Sequence, residues 1–220
     1  MKIKFKASAI LVVLATFFSA RGEIILLFFA AALIHEVGHL MAARILKKRI
    51  SRIEIGFSGA RIVIGDTLLG YGEELFVALM GPVFNLLTVG TIFWSFFYAN
   101  MSPATVIEGG LAFLERGGSE WAEILGFVAV SSLAQAFLNL LPVKTLDGGR
   151  ILYCIFASLL GERAGEIAVG IATAAVAFLS WTVALYLMLK VSAGLAVFVF
   201  AVWAFLRSDA IVKGEGEVRL

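Results

Sequence analysis

Long runs without a charged residue constrain this chain more than any other feature. Leu75 to Ala99, Ile124 to Val143 and Ile167 to Leu189 contain no Asp, Glu, Lys or Arg. A bilayer core about 30 Å thick is crossed by about 20 apolar helical residues, so each run is long enough to span. Ile24 to Ala43 has the same length, and Glu36 is its only acidic or basic residue apart from two histidines. Ala7 to Ala20 is shorter, but Lys6 and Arg21 can snorkel to extend it. Val191 to Leu206 is a sixth, marginal run. The expectation is an all-α polytopic membrane protein with about six transmembrane helices. Composition agrees: 61% of residues are hydrophobic, mean hydropathy is +0.99 and 15% are charged, against about 25% in soluble domains.

Charge sets the orientation. With the amino terminus inside, every Lys and Arg except Arg21, Arg116 and Lys190 falls on a cytoplasmic segment, as the positive-inside rule requires. Both termini are then cytoplasmic, and the loop from Asn100 to Glu123 is external, with turns at Gly109-Gly110 and Gly117-Gly118. Lys2, Lys4 and Lys6 before an apolar run also have the form of a signal peptide. Phe18 spoils the cleavage site, however, and the next span follows almost at once, so the run is read as a retained helix. Residues 1–207 read as a single transmembrane domain and 208–220 as a short polar cytoplasmic tail. A net charge of +2 without a long basic run excludes nucleic acid as a partner. Cys154, the one cysteine, precludes a disulfide framework and reads as a buried, inert thiol.

The two histidines of the chain, His35 and His39, stand four apart in the motif helix 24–46. That step puts both rings on one helix face, which suits two ligands of one zinc ion, with Glu36 beside them as a general base. With no other histidine, a third protein ligand has to be a carboxylate or Cys154. Ionisable residues inside a membrane span are costly unless paired, so three within five positions mark a functional site.

A second polar island runs from Asn139 to Arg150, at the cytoplasmic end of the fourth proposed span. Pro142 should end the helix there, and Gly148 and Gly149 permit a sharp turn after Asp147. Alone, this reads equally as an ordinary loop in which Asp147 caps a helix starting near Ile151. At about 1.5 Å per residue, His35 and His39 lie roughly 17 to 23 Å along their helix from Ile24, in its cytoplasmic half. The third-ligand segment 139–150 descends to the same side. His35, His39 and Asp147 plus one water would complete a four-coordinate catalytic zinc site, with one zinc per chain.

With both islands in view, the chain resembles the site-2 protease family of intramembrane zinc metalloproteases. His35-Glu36-Val37-Gly38-His39 matches the first signature of that family, and Asn139 to Gly148 matches its second, N-x-x-P-x-x-x-x-D-G. The resemblance implies zinc ligands at His35, His39 and Asp147, a catalytic base at Glu36, and a substrate- or oxyanion-binding role for Asn139. Gly81-Pro82-Val83-Phe84-Asn85 resembles a further G-P-x-x-N element, where Pro82 should kink the helix and Asn85 could bond across the bundle. The short loops and early motif are similar to the compact prokaryotic members, including the branch of the stage IV sporulation protease. No CBS or PDZ domain of the kind carried by some members is expected here. Between the second and third spans, alternation over residues 50–64 around Ser58-Gly59 reads as a small membrane-edge β-hairpin.

The expected function is zinc-dependent intramembrane endopeptidase activity, hydrolysing transmembrane protein substrates in regulated intramembrane proteolysis. The site is expected in the cytoplasmic half of the cell membrane, with the bilayer and a regulatory membrane protein as partners. Two rivals stand beside it. One is a membrane zinc protease with a glutamate third ligand such as Glu73 or Glu74; the other is a non-hydrolytic metal-binding transporter.

Overall fold

The computed structural model describes residues 2–5, 22–48, 50–56, 59–64, 69–116 and 120–190. The expected spans Ala7 to Ala20 and Val191 to Leu206 and the tail 208–220 lie outside the described residues. Among the described residues six helices form: α1 (Gly22–Ile45), α2 (Tyr71–Tyr98), α3 (Pro103–Arg116), α4 (Trp121–Leu140), α5 (Asp147–Leu160) and α6 (Glu162–Lys190). Three strands accompany them: β1 (Lys2–Phe5), β2 (Ile50–Gly56) and β3 (Gly59–Ile64). Helices α1, α2, α4 and α6 are long and apolar enough to cross a membrane. Trp94 and Phe97 are each 67% exposed and Phe178 76%. Large rings placed outward in this way fit a hydrocarbon surrounding, where apolar area is not in contact with water.

The chain divides into two compact units. The first holds residues 1–68 and 79–138. Its sheet has the order β1-β2-β3. Strand β2 pairs antiparallel with β3, Ile53 facing Ile62 and Glu54 facing Arg61, with a register irregularity at Ile50/Arg52. Strand β1 pairs parallel with β2. In the sequence, Lys2 to Lys6 reads as a basic lead-in to a helix, so this third strand is a correction. Parallel pairing brings together strands far apart in sequence, and no local turn signal announces it. Strand β3 lies against α1.

Helix α3 is a second correction, because Asn100 to Glu123 reads as a loop in the sequence. Its start is written in Ser102-Pro103: the Ser102 hydroxyl accepts from the Thr105 amide at 3.3 Å, and proline at the first helical position loses no helix bond. Gly109-Gly110, expected as a turn, is helical, and Gly110 lies against the Gly126 backbone of α4. Ile92, Phe96, Val106 and Ala129 form the adjoining core. Phe113 stacks on Phe127 with ring centroids 5.1 Å apart, and Phe96 meets Trp121 at 5.4 Å. Gln135 Nε2 donates to the Phe28 carbonyl at 2.9 Å, tying α4 to α1. Helix α1 ends where Lys47 takes a left-handed φ of 55° and the Lys48 amide reaches the Ala43 carbonyl at 2.9 Å, a Schellman-type closure.

The second unit holds residues 69–78 and 139–220. Helix α4 stops at Leu140, just before Pro142, as proline's missing amide dictates. Two short bonds then fold the connection: Val143 N to Leu141 O at 2.7 Å and Leu146 N to Val143 O at 2.8 Å. The Lys144 amide donates to the buried Thr173 Oγ1 at 3.1 Å, fastening the connection to α6. Helices α5 and α6 pack together and join at Gly161, whose φ of 93° suits glycine.

Candidate metal centre

His35 and His39 are buried on one face of α1. Their Nε2 atoms stand 3.1 Å apart and their rings meet edge to face, with centroids 4.8 Å apart. Glu36 is half-buried on the adjacent face. Two imidazoles inside an apolar bundle need polar company, because an unpaired buried polar group costs several kcal/mol.

Glycine makes room for them. A side chain at Gly38 would strike the backbone carbonyl of Met80, and one at Gly81 would overlap the rings of His39 and His35. The backbones of α1 and α2 therefore approach closely at the metal motif, as small residues allow between membrane helices. The signal is present in the sequence, since Gly38 lies inside the histidine motif and Gly81 heads the G-P-x-x-N element, but nothing local shows that the two face each other. Helix α2 is unbroken through Pro82. One turn after Gly81, the fully buried Asn85 places Nδ2 3.3 Å from His35 Nδ1.

Asp147 is buried at the start of α5. It is not the cap of that helix: Leu146 holds the N-cap position and no side chain caps the end. Gly148 and Gly149 are not turn residues either, because both are helical and Gly161 is the described glycine with positive φ. They are small because Gly148 faces the carbonyls of Leu140 and Leu141 and Gly149 that of Val143. The segment thus folds tightly enough to present a buried carboxylate.

His35 and His39 of the first unit offer two buried imidazole nitrogens, and Asp147 of the second offers a buried carboxylate oxygen. Two imidazole nitrogens and one carboxylate oxygen match the three-protein-ligand set of catalytic zinc sites. The rival glutamates are engaged elsewhere. Glu74 Oε1 accepts from Arg150 Nε at 3.3 Å, and Glu73 Oε2 accepts from the Gly70 amide at 3.1 Å. Asn139 sits half-buried in the last turn of α4.

A family model described as peptidase family M50 matches residues 70–183, more than half of the chain. The chain belongs to peptidase family M50. It is a membrane metalloprotease, and the resemblance carried by the two motifs stands. The matched stretch takes in Asn85, Asn139 and Asp147 and begins after His35 and His39. Among solved structures, a site-2 protease from Methanocaldococcus jannaschii has a similar fold: TM-score 0.61 at 18% sequence identity, over 94% of this chain and 88% of that one. No curated protein matches significantly.

Proposed function

We propose that this M50 protein is a zinc-dependent intramembrane endopeptidase that cuts membrane-spanning proteins near the cytoplasmic face in regulated intramembrane proteolysis. The observation that supports this most is the buried pair His35 and His39, their Nε2 atoms 3.1 Å apart, with Glu36 beside them on α1. One zinc per chain would be held by His35, His39 and Asp147. Zinc, when bound, supplies Lewis acidity that polarises the scissile carbonyl and makes water a stronger acid. The Glu36 carboxylate accepts the proton from the attacking water and delivers it to the leaving amine nitrogen. Asn139 helps to hold the substrate carbonyl as it gains negative charge.

A substrate helix hides its peptide bonds, so it has to unwind, and its released amides then need partners inside the membrane region. Strand β3, at the end of the sheet order beside α1, would supply them by taking the substrate as a further strand. The positive-inside distribution supports cytoplasmic termini and a site in the cytoplasmic half of a multi-pass cell-membrane protein. Residues 1–207 would form the catalytic domain, 208–220 a polar tail, and a regulatory membrane protein would be a further partner.

The deciding experiment is Glu36→Gln, assayed for metal and for cleavage. The variant should keep about one zinc per chain, lose proteolysis by about 10²–10⁴-fold, and trap uncut substrate in cells. Cleavage at the parental rate would refute the role of the base.

A further inference from the structure

We infer that α3 is an interfacial anchor: it lies along the membrane boundary at the Trp121 end of the bundle and seats Ile107, Leu111 and Leu114 among the acyl chains of a zwitterionic leaflet. The inference rests on the membrane class of the chain and is independent of the metal reading.

Helix α3 has 14 residues. At 1.5 Å per residue its length is about 21 Å, too short for a hydrocarbon core about 30 Å thick. It is nonetheless apolar on two faces. Val106, Gly110 and Phe113 form a buried stripe. Ile107, Leu111 and Leu114 form a second stripe, and each is 46% to 48% exposed. With a turn of about 100° per residue, the second stripe lies directly beside the buried one. Glu108 and Glu115, both exposed, occupy the next sector. Around the helix the order is therefore a protein-facing sector, an uncovered apolar sector and a carboxylate sector. In water the middle sector would be a cost, because apolar area is favoured only where water is excluded. A helix sunk into the boundary between acyl chains and water finds a suitable surrounding for all three.

Neighbouring residues set the depth. Val106 packs with Ile92, Phe96 and Ala129, and Gly110 lies against the Gly126 backbone. Helix α3 thus crosses α4 between Gly126 and Ala129, about 8 to 12 Å along that helix from Trp121. Trp121 is exposed, and its ring meets Phe96 at 5.4 Å. Trp94 and Tyr98, near the end of α2, are exposed as well. Amphipathic rings of this kind collect where membrane meets water, so the three mark that boundary, and α3 lies just inside it. Lipid is the occupant because the uncovered sector sits at the same end of two spans whose outward rings already face lipid. Charge selects the lipid. Glu108 and Glu115 repel anionic headgroups and are compatible with zwitterionic ones.

The test places single cysteines at Ile107, Leu111, Leu114, Glu108 and Glu115 of the full-length protein, spin-labels them and reconstitutes each variant in phosphatidylcholine vesicles. The parent, whose Cys154 is buried, is the blank. Collision of each label with molecular oxygen, which concentrates among acyl chains, is compared with collision with a water-soluble nickel chelate. Oxygen should dominate at positions 107, 111 and 114 and the chelate at 108 and 115, so the ratio should invert between the two sectors. Replacing part of the lipid with anionic phosphatidylglycerol should shift the first three labels towards water; an unchanged ratio would overturn the headgroup preference. Chelate dominance at all five positions would place α3 in water and overturn the inference. Weak collision with both reagents at 107, 111 and 114 would mean that protein covers the sector, a second copy of this chain where the labels also broaden one another, and would overturn it equally. The five positions are exposed and each sector is sampled more than once, so one variant that fails to fold leaves the pattern readable.

Discussion

Gly81 of α2 faces the His39 ring so closely that a single added methyl group would overlap its Nε2. The atom crowded by that methyl is the one expected to bind the metal, so the backbone of one helix forms a wall of the site on another. Gly81→Ala should therefore displace the imidazole instead of merely loosening the bundle. Zinc affinity and cleavage should each drop at least about tenfold, the scale of losses from disturbed ligand positioning. Overpacking itself costs about 1–3 kcal/mol, so the folded variant can be purified and its zinc content measured. Parental zinc affinity in that variant would show that the rings tolerate the methyl.

The assignment of the carboxylate ligand separates Asp147 from the two rival glutamates, Glu73 and Glu74. Asp147→Ala should abolish cleavage and lower zinc retention. Glu73→Ala and Glu74→Ala should retain zinc, because Glu73 bonds the Gly70 amide and Glu74 bonds Arg150. Glu74→Ala should still lower thermal stability, since Arg150 in the first turn of α5 loses its partner. Zinc content and turnover that survive the loss of Asp147 would overturn the ligand set.

Topology is open to chemical labelling because the native thiol is quiet. Cys154 is buried, and burial, reinforced by nearby Glu74, pushes its thiol up to about 11. Cysteines introduced at Lys48 and Lys213 should be shielded from an impermeant thiol reagent on intact cells. One introduced at Gly117 should react. The reverse pattern would place the site in the outer half of the membrane.

Strand addition predicts an alternating response along β3. Strand β2 lies between β1 and β3, so proline at Ile53 or Ile55 would break pairings inside the sheet. In an antiparallel pair, successive amides of β3 point alternately towards β2 and away from it. Proline placed singly at Arg61, Ile62 and Val63 should therefore alternate in effect. Positions whose amide points away should lose cleavage and keep zinc. If all zinc-binding variants cleave at the parental rate, substrate is not held at this edge.

The membrane class, the histidine face of α1 and the helix stop before Pro142 are legible in the sequence because each depends on local chemistry. A charge-free run, a step of four residues and a missing amide act the same way in any fold. Helix α3 is legible too, in Ser102-Pro103, but the paired glycines Gly109-Gly110 argue locally for a turn and mask the cap. Other features depend on partners distant in sequence. Gly148 and Gly149 look like turn residues until the carbonyls of Leu140, Leu141 and Val143 are seen against them. The pairing of Lys2–Phe5 with β2 needs a long stretch of chain to return alongside it. That Gly38 faces Met80, that Gly81 faces the two imidazoles, and that Asn85 reaches His35 Nδ1 follows from how closely α1 and α2 pack. Residue type and spacing decided which atoms could serve the site. Close packing between helices decided which nitrogen of each ring faces the other and what the remaining nitrogen of His35 must bond to.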